Sequence, residues 1–442
     1  MSRRLTLLAL GACLLSAGAH ATIPVEHWTH PSGARVYLVN SPGIPMVDVQ
    51  IDVDGGSRRE PPAQTGLANA TAGLLSGGVL AHAGQPARDE NALSVAWVDL
   101  GAQFGASASS DRFTVQLRSL TDAAILPRAV ALAAQQLAAP AWPDRVWQRN
   151  RERSAAALRE AQNRPATVAA QAFGPALYGD HPYGRFVTPA TLNAVSVADM
   201  QAFYRRHMNA CRAQVTVVGA VDRAAVQAIV DPLMAAIAPH GCTDLPPVAE
   251  VKPLTAAAEK RIPFKAAQAQ ISIGQPGIAR NHPDFFPLLV GNHILGGGGF
   301  TARLTTEVRE KRGLTYGVYS GFSPGRHAGA FQIGMTTRPD QADEAVRVVR
   351  DTLTNYLKDG PSEAELQAAK DFLIKGFALR IDSNRKLLDN VANIAWNGLP
   401  LDYLDTWTAQ IGRLTRDEVH RAMQRALQPD RMVTVVVGAA NP

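Results

Sequence analysis

Cysteine is nearly missing from this 442-residue chain, which has only Cys13, Cys211 and Cys242. Three thiols exclude a small disulfide scaffold and any four-cysteine zinc or iron–sulfur site. Beyond residue 21 no run of about 18 apolar residues escapes a charge, so the body of the chain holds no helical membrane span. Low complexity is lacking too, since 36 Gly and 29 Pro stand only slightly above the ordinary background. The formal charge of +6 comes from scattered basic residues, which serve solubility and leave no nucleic-acid footprint. What is abundant is apolar material, 46% of residues, enough for sizeable globular cores, and the length suggests two to four domains.

The first 21 residues are not read as fold. Arg3 and Arg4 precede the apolar run Leu5 to Leu15, and Ala19-His20-Ala21 has the form of a cleavage site, so residues 1–21 are expected to be a secretory signal peptide. Cys13 allows lipoprotein processing, but the apolar run continues past it to the ordinary site. The mature chain then carries 42 basic and 38 acidic residues and is expected in the periplasm or secreted. In that oxidising setting Cys211 and Cys242 fit either a disulfide or two buried thiols.

The mature chain contains one pattern twice. Ser196-Val197-Ala198-Asp199 opens an amphipathic stretch that leads into Val215 to Gly219, and Thr415-Arg416-Asp417-Glu418 opens another that leads into Val433 to Gly438. From Ser196 to Gly219 and from Thr415 to Gly438 the separation is 23 residues in each case. Each unit reads as a capped helix followed by a buried β-branched strand. The alternating strands Val49 to Val53 and Ala269 to Ile273, 220 residues apart, open the two units, and each precedes a small-residue helix, Gly66 to Leu75 and Pro283 to Leu295. Residues 241–259, with Pro246, Pro247 and Pro253, read as a linker. The expected fold is α+β: two homologous α/β-sandwich domains, 22–240 and 260–442, joined by an extended segment.

Several stretches together resemble the pitrilysin/insulinase family of zinc peptidases, in its two-domain, mitochondrial-processing-peptidase-like branch. They are Gly66-Leu67-Ala68, Leu100-Gly101-Ala102, Asp180-His181-Pro182-Tyr183-Gly184-Arg185 and Val217-Val218-Gly219 in the first half. In the second they are Leu295-Gly296-Gly297-Gly298, Arg309 to Tyr316, and Pro429-Asp430. The resemblance covers nearly all of the mature chain in the expected order. It implies a clam-like peptidase fold.

The family's catalytic motif is His-x-x-Glu-His just after Gly-Leu-Ala: two histidines one helical turn apart bind zinc, and the glutamate activates water. Here those positions read Asn69-Ala70-Thr71-Ala72-Gly73, so Asn69, Ala72 and Gly73 replace both ligands and the base. The family's third ligand, a glutamate, maps by spacing near Asn150 and by local pattern to Arg153; nearby Glu152 would stand alone. Among the 11 histidines, His27 and His30 are close in sequence but have no evident third ligand. No metal is therefore expected in this chain.

In two-chain members of the family, the partner of the zinc-bearing subunit supplies an Arg and a Tyr seven residues apart, and Arg309 and Tyr316 have that spacing. Taken alone such a pair is commonplace, and a helix-end arginine is ordinarily a solvated charge. The resemblance implies instead that both donate to a substrate carbonyl while negative charge develops on its oxygen. Gly296, Gly297, Gly298 and Gly299 lack the Lys and Ser/Thr of a phosphate loop and predict a mobile loop, which the resemblance places on the substrate path. His181 to Gly184 suits a rigid turn better than a metal site. Two functions follow. One is the non-catalytic subunit of a heterodimeric zinc peptidase, acting on peptides beside a homologous subunit that carries His-x-x-Glu-His and the zinc. The other is a non-enzymatic peptide-binding scaffold.

Overall fold

Residues 23–237 and 242–439 are described in this computed structural model; the expected signal peptide, Cys13 and residue 241 of the expected linker lie outside them. Strands β1 (Glu26–Thr29), β2 (Arg35–Asn40), β3 (Met46–Val53), β4 (Gln103–Ala108), β5 (Phe113–Leu120) and β6 (Gln214–Gly219) form one sheet, in the order β1-β2-β6-β3-β5-β4. Strands β7 (Ala258–Ile262), β8 (Ala269–Pro276), β9 (Val318–Phe322), β10 (Ala330–Thr337) and β11 (Val433–Val437) form a second, in the order β9-β10-β8-β11-β7. With β1 set aside, the two orders are identical. In both, one outer pair is parallel, β2 with β6 and β7 with β11, and the remaining pairs are antiparallel. The repeat seen in the sequence is thus a repeat of topology.

Helices α1 (Leu67–Leu74), α2 (Asp144–Ala161), α3 (Pro165–Tyr178) and α4 (Val197–His207) belong to the first half of the chain, and α5 (Asn384–Asn397) and α6 (Arg416–Ala426) to the second. The two expected caps are present. Ser196 and Asp199 close a capping box at α4, and Thr415 and Glu418 do the same at α6, so the first-turn N–H groups are satisfied reciprocally.

Strands β6 and β11 are buried along their whole length, so each sheet needs cover on both faces. One face packs on helices of its own half. The other is covered by a borrowed helix: Ala169, Phe173 and Leu177 of α3 pack on Val433, Val435 and Val437, while Leu388, Val391 and Ile394 of α5 pack on Tyr37, Val39 and Val218. Each half therefore completes the other's core.

Residues 242–257 form neither helix nor strand, and β7 begins at Ala258, two residues inside the expected linker. The segment is pinned at several points. Pro246 accepts a hydrogen bond from Arg59, and Glu250 Oε2 lies 2.9 Å from His327 Nδ1. Cys211 and Cys242 are joined as a disulfide, with Cα atoms 6.1 Å apart, so of the two readings of these residues the paired one holds.

His207, in the last turn of α4, is only 4% exposed; its Nδ1–H donates to the Asp54 carbonyl at 2.8 Å, and its ring lies 4.3 Å from that of Phe203. Burial pushes the imidazole down to about 4. Between that value and the ordinary value of about 6.5 the unfolded chain takes up a proton that the native chain refuses. Stability should accordingly fall as pH drops from 7 to 5, with His207 contributing about 2 kcal/mol of the loss. Urea unfolding at both pH values checks this: His207→Gln should show a pH dependence smaller by that amount, and an unchanged slope would refute the assignment.

Candidate functional site

The position of the missing metal motif is well defined. Helix α1 follows Gly66, whose φ of +111° suits a residue without a side chain. The N–H groups of Gly66 and Ala68 donate to the buried Glu60 carboxylate at 2.9 and 2.7 Å, which anchors the helix start. Burial nevertheless pushes the Glu60 carboxyl above its ordinary range. Along α1, Asn69 and Gly73 face outward while Ala72 is buried in the core.

Helix α2 faces this surface. Asn69, Ala70 and Gly73 of α1 and Trp147, Asn150 and Arg153 of α2 line one cavity of about 560 Å³. Asn150 and Arg153, the two alternative positions for the third ligand, thus open onto the same space as Asn69 and Gly73; Glu152 is exposed and does not line it. These residues do not fit a zinc ion. Carboxamides and a hydroxyl are weak donors for it, the cavity walls are mostly apolar, and the Arg153 guanidinium repels a cation. Among the described residues no three His, Cys, Asp or Glu side chains converge as a metal cage. His30 instead contacts Asp231, with Nε2 to Oδ1 at 2.9 Å.

The second half presents donors. His293–Gly297 and Thr305–Glu310 are π-helical, a widened turn that recurs at functional sites. The glycine run begins inside the first π-helix, at Gly296 and Gly297, and so differs from the mobile loop expected. A Cβ on Gly296 would lie 2.5 Å from Ser320 Oγ, one on Gly297 2.8 Å from Asn292 Nδ2, and one on Gly298 2.7 Å from the His293 carbonyl. Gly296 and Gly298 thus lie close against backbone, and Gly297 against the Asn292 carboxamide. Only Gly299 has a positive φ, +62°, and faces open space.

Arg309 lies on the second π-helix, its guanidinium carbon 4.7 Å from the centroid of the Phe300 ring. Tyr316 stands two residues before β9 and is 86% exposed. Among the described residues neither side chain makes a hydrogen bond. The nearby acid is already engaged, since Glu307 pairs with Lys311 at 2.6 Å and Arg312 at 2.8 Å. Among the described residues Arg309 is in no ion pair and rests on the Phe300 ring. Phe300 is a participant that the sequence reading missed; its one signal was an aromatic directly after four glycines.

The His181 to Gly184 segment is a 3-10 turn that joins the two halves. Tyr183 O–H donates to Asp111 Oδ1 at 2.5 Å, the Arg326 N–H donates to Asp111 Oδ2 at 2.9 Å, and the His327 N–H donates to the Tyr183 oxygen at 3.3 Å. Burial, with the adjacent Asp111 charge, pushes the Tyr183 phenol well above its ordinary value. This is a clasp rather than a reaction centre.

Fold and site together define a two-domain peptidase-type chain with a dismantled metal site. Residues 35–189 match the insulinase family model, peptidase family M16, and residues 194–373 match the model described as the peptidase M16 inactive domain. The chain belongs to the M16 family. It is similar to the crystal structure of a peptidase M16 inactive domain from Pseudomonas fluorescens, with 32% identity and a TM-score of 0.88, covering 94% of this chain and 98% of that one. An uncharacterised zinc protease of Streptomyces coelicolor is 27% identical over 438 residues, 96% of this chain and 92% of that protein. The periplasmic protease PqqL of Escherichia coli has the same fold at 19% identity and a TM-score of 0.80; this chain is covered to 99%, and that one to 48%.

Proposed function

We propose that this chain is the non-catalytic, substrate-holding subunit of a heterodimeric zinc peptidase, exported to the periplasm or secreted. Metal and general base would sit on a homologous partner carrying His-x-x-Glu-His. One observation carries the reading: among the described residues Arg309 and Tyr316 are donors in no hydrogen bond, in a chain whose other half has a cavity at the metal position. A guanidinium and a phenol can both donate to a substrate carbonyl oxygen. As that carbon is attacked, charge builds on the oxygen, and donors already in place stabilise it without reorganising. Phe300 supports one face of the guanidinium and leaves its N–H edge free. Gly299, open and left-handed beside Phe300, gives an extended peptide room to pass. That a chain of about twice this length contains the same fold supports reading this one as half of an enclosure.

Reconstitution tests the proposal. The isolated chain should bind no stoichiometric zinc and cleave no peptide, and adding the motif-bearing companion should produce chelator-sensitive hydrolysis that saturates at equal stoichiometry. Chelator-sensitive cleavage by the isolated chain would overturn the reading. A complex no more active than the companion alone would instead favour the non-enzymatic peptide-binding scaffold.

A further inference from the structure

The cavity between α1 and α2 has not been refilled. A Cβ on Gly73 would meet nothing within 4 Å, so the wall is cut back where the family carries a bulky ligand. Inside, the walls are apolar, formed by Leu74, Trp147, Ala157, Leu158, Val187 and Leu192. Polar groups are confined to Asn69, Asn150, Arg153 and Ser154. The volume of about 560 Å³ falls within the range of small-ligand sites.

Of the side chains that line the cavity, Arg153 is the one that carries a charge, whereas Arg145 and Arg149 do not line it. Arg145, Arg149 and Arg153 recur at every fourth residue of α2 and therefore share one face. Their common acid is Glu90, which already accepts from Arg149 Nη2 at 2.6 Å. Arg153 donates to Asn150 Oδ1 at 3.1 Å, and no carboxylate among the described residues lies within ion-pairing distance of it. The site thus offers an apolar interior, a guanidinium that is in no ion pair among the described residues, and two carboxamides.

We propose that this cavity binds the C-terminal residue of a peptide, with a large apolar side chain in the interior and the terminal carboxylate on Arg153. The two demands fall within one cavity, so the ligand must carry its charge and its apolar body on the same residue. A C-terminal Leu or Phe does so, whereas an internal residue carries no carboxylate beside its apolar side chain. Arginine suits the task because its planar fork matches a carboxylate with two parallel hydrogen bonds. Asn69 and Asn150 can pair with the peptide group that precedes it, which distinguishes a peptide from a fatty acid. The site goes beyond the donor pair in the second half and requires no partner subunit.

Calorimetric titration of the full mature chain, without a partner, tests this. The probes are N-acetyl-Gly-Gly-Phe as the free acid, the same peptide as its C-terminal amide, and octanoate. The acid should bind at least tenfold more tightly than the amide or octanoate. Arg153→Gln should erase the difference between acid and amide while leaving the weaker apolar binding. Gly73→Leu, which puts a side chain into open space on a solvent-facing helix position, should weaken all binding at least tenfold with no loss of thermal stability. Equal affinity for acid and amide, tighter binding of octanoate, indifference to Gly73→Leu, or no binding of the acid would each overturn the proposal. Because no zinc-bearing companion is present, failure here is separate from failure of the two-chain reading.

Discussion

Replacing Arg309 with Ala, or Tyr316 with Phe, should lower kcat of the reconstituted two-chain peptidase by about 10²-fold or more, the scale of a lost oxyanion donor. The structure makes the two positions suitable for such a test. Neither side chain holds the fold together: Arg309 rests on Phe300, itself 67% exposed, and Tyr316 is 86% exposed. Tyr316 is exposed and Arg309 half-buried, and among the described residues neither is in a hydrogen bond or an ion pair; truncating surface groups of this kind ordinarily changes stability by less than about 0.5 kcal/mol. Assembly, followed by size-exclusion chromatography, should therefore be unchanged. The split between kinetic constants is informative. A donor used only as charge develops costs kcat and kcat/KM equally, whereas one that merely holds the ground-state carbonyl raises KM. Phe300→Ala should have a smaller effect in the same direction, since it removes the support and not the donor. Unchanged turnover in both Arg309→Ala and Tyr316→Phe would show that these side chains do not reach the substrate.

Much of the architecture was legible because repetition is a one-dimensional signal. Two capping boxes, each followed by a β-branched strand at the same spacing, reproduce as α4 with β6 and α6 with β11. Those strands read as buried, and the structure buries both of their faces. Which helix covers the second face was not legible. The row Ala169, Phe173 and Leu177 looks the same whichever sheet it packs on, and only tertiary structure sends it to the other half.

The candidate site shows a similar division. Loss of the metal motif is visible at Asn69, Ala72 and Gly73, because zinc tolerates so few donors. The cavity is not visible, since α1 and α2 are far apart in sequence and their separation in space is a tertiary property. Spacing and local pattern chose differently between Asn150 and Arg153, yet three residues along a helix share a face, so both line the cavity. The glycine run was read as mobility, but a missing side chain serves close packing equally well. Ser320 and Leu304, which crowd Gly296, identify the second use.

Phe173→Ala should cost about 3–5 kcal/mol, the cost of deleting a buried aromatic, and it should do so for the whole chain at once. Phe173 is 5% exposed and lies in the cluster formed with Val433, Val435 and Val437. A Cβ on Gly274 would come within 3.0 Å of its Cζ, so the ring is seated directly on β8 and little can collapse into the space it leaves. The residue is encoded in the first half and stabilises the second. Val391 of α5, encoded in the second half, is fully buried against β6 of the first. If each half were an independent unit, urea unfolding would show two transitions and Phe173→Ala would move only one. Reciprocal cover predicts a single transition, by circular dichroism and by tryptophan fluorescence alike, displaced as a whole. Leu379→Ala, at a position 68% exposed, is the control and should change the unfolding free energy by less than about 0.5 kcal/mol. A biphasic profile with one limb unmoved would refute the coupling. A single displaced transition would mean that the halves are separate in sequence but not in stability, because each sheet is closed only by the other's helix.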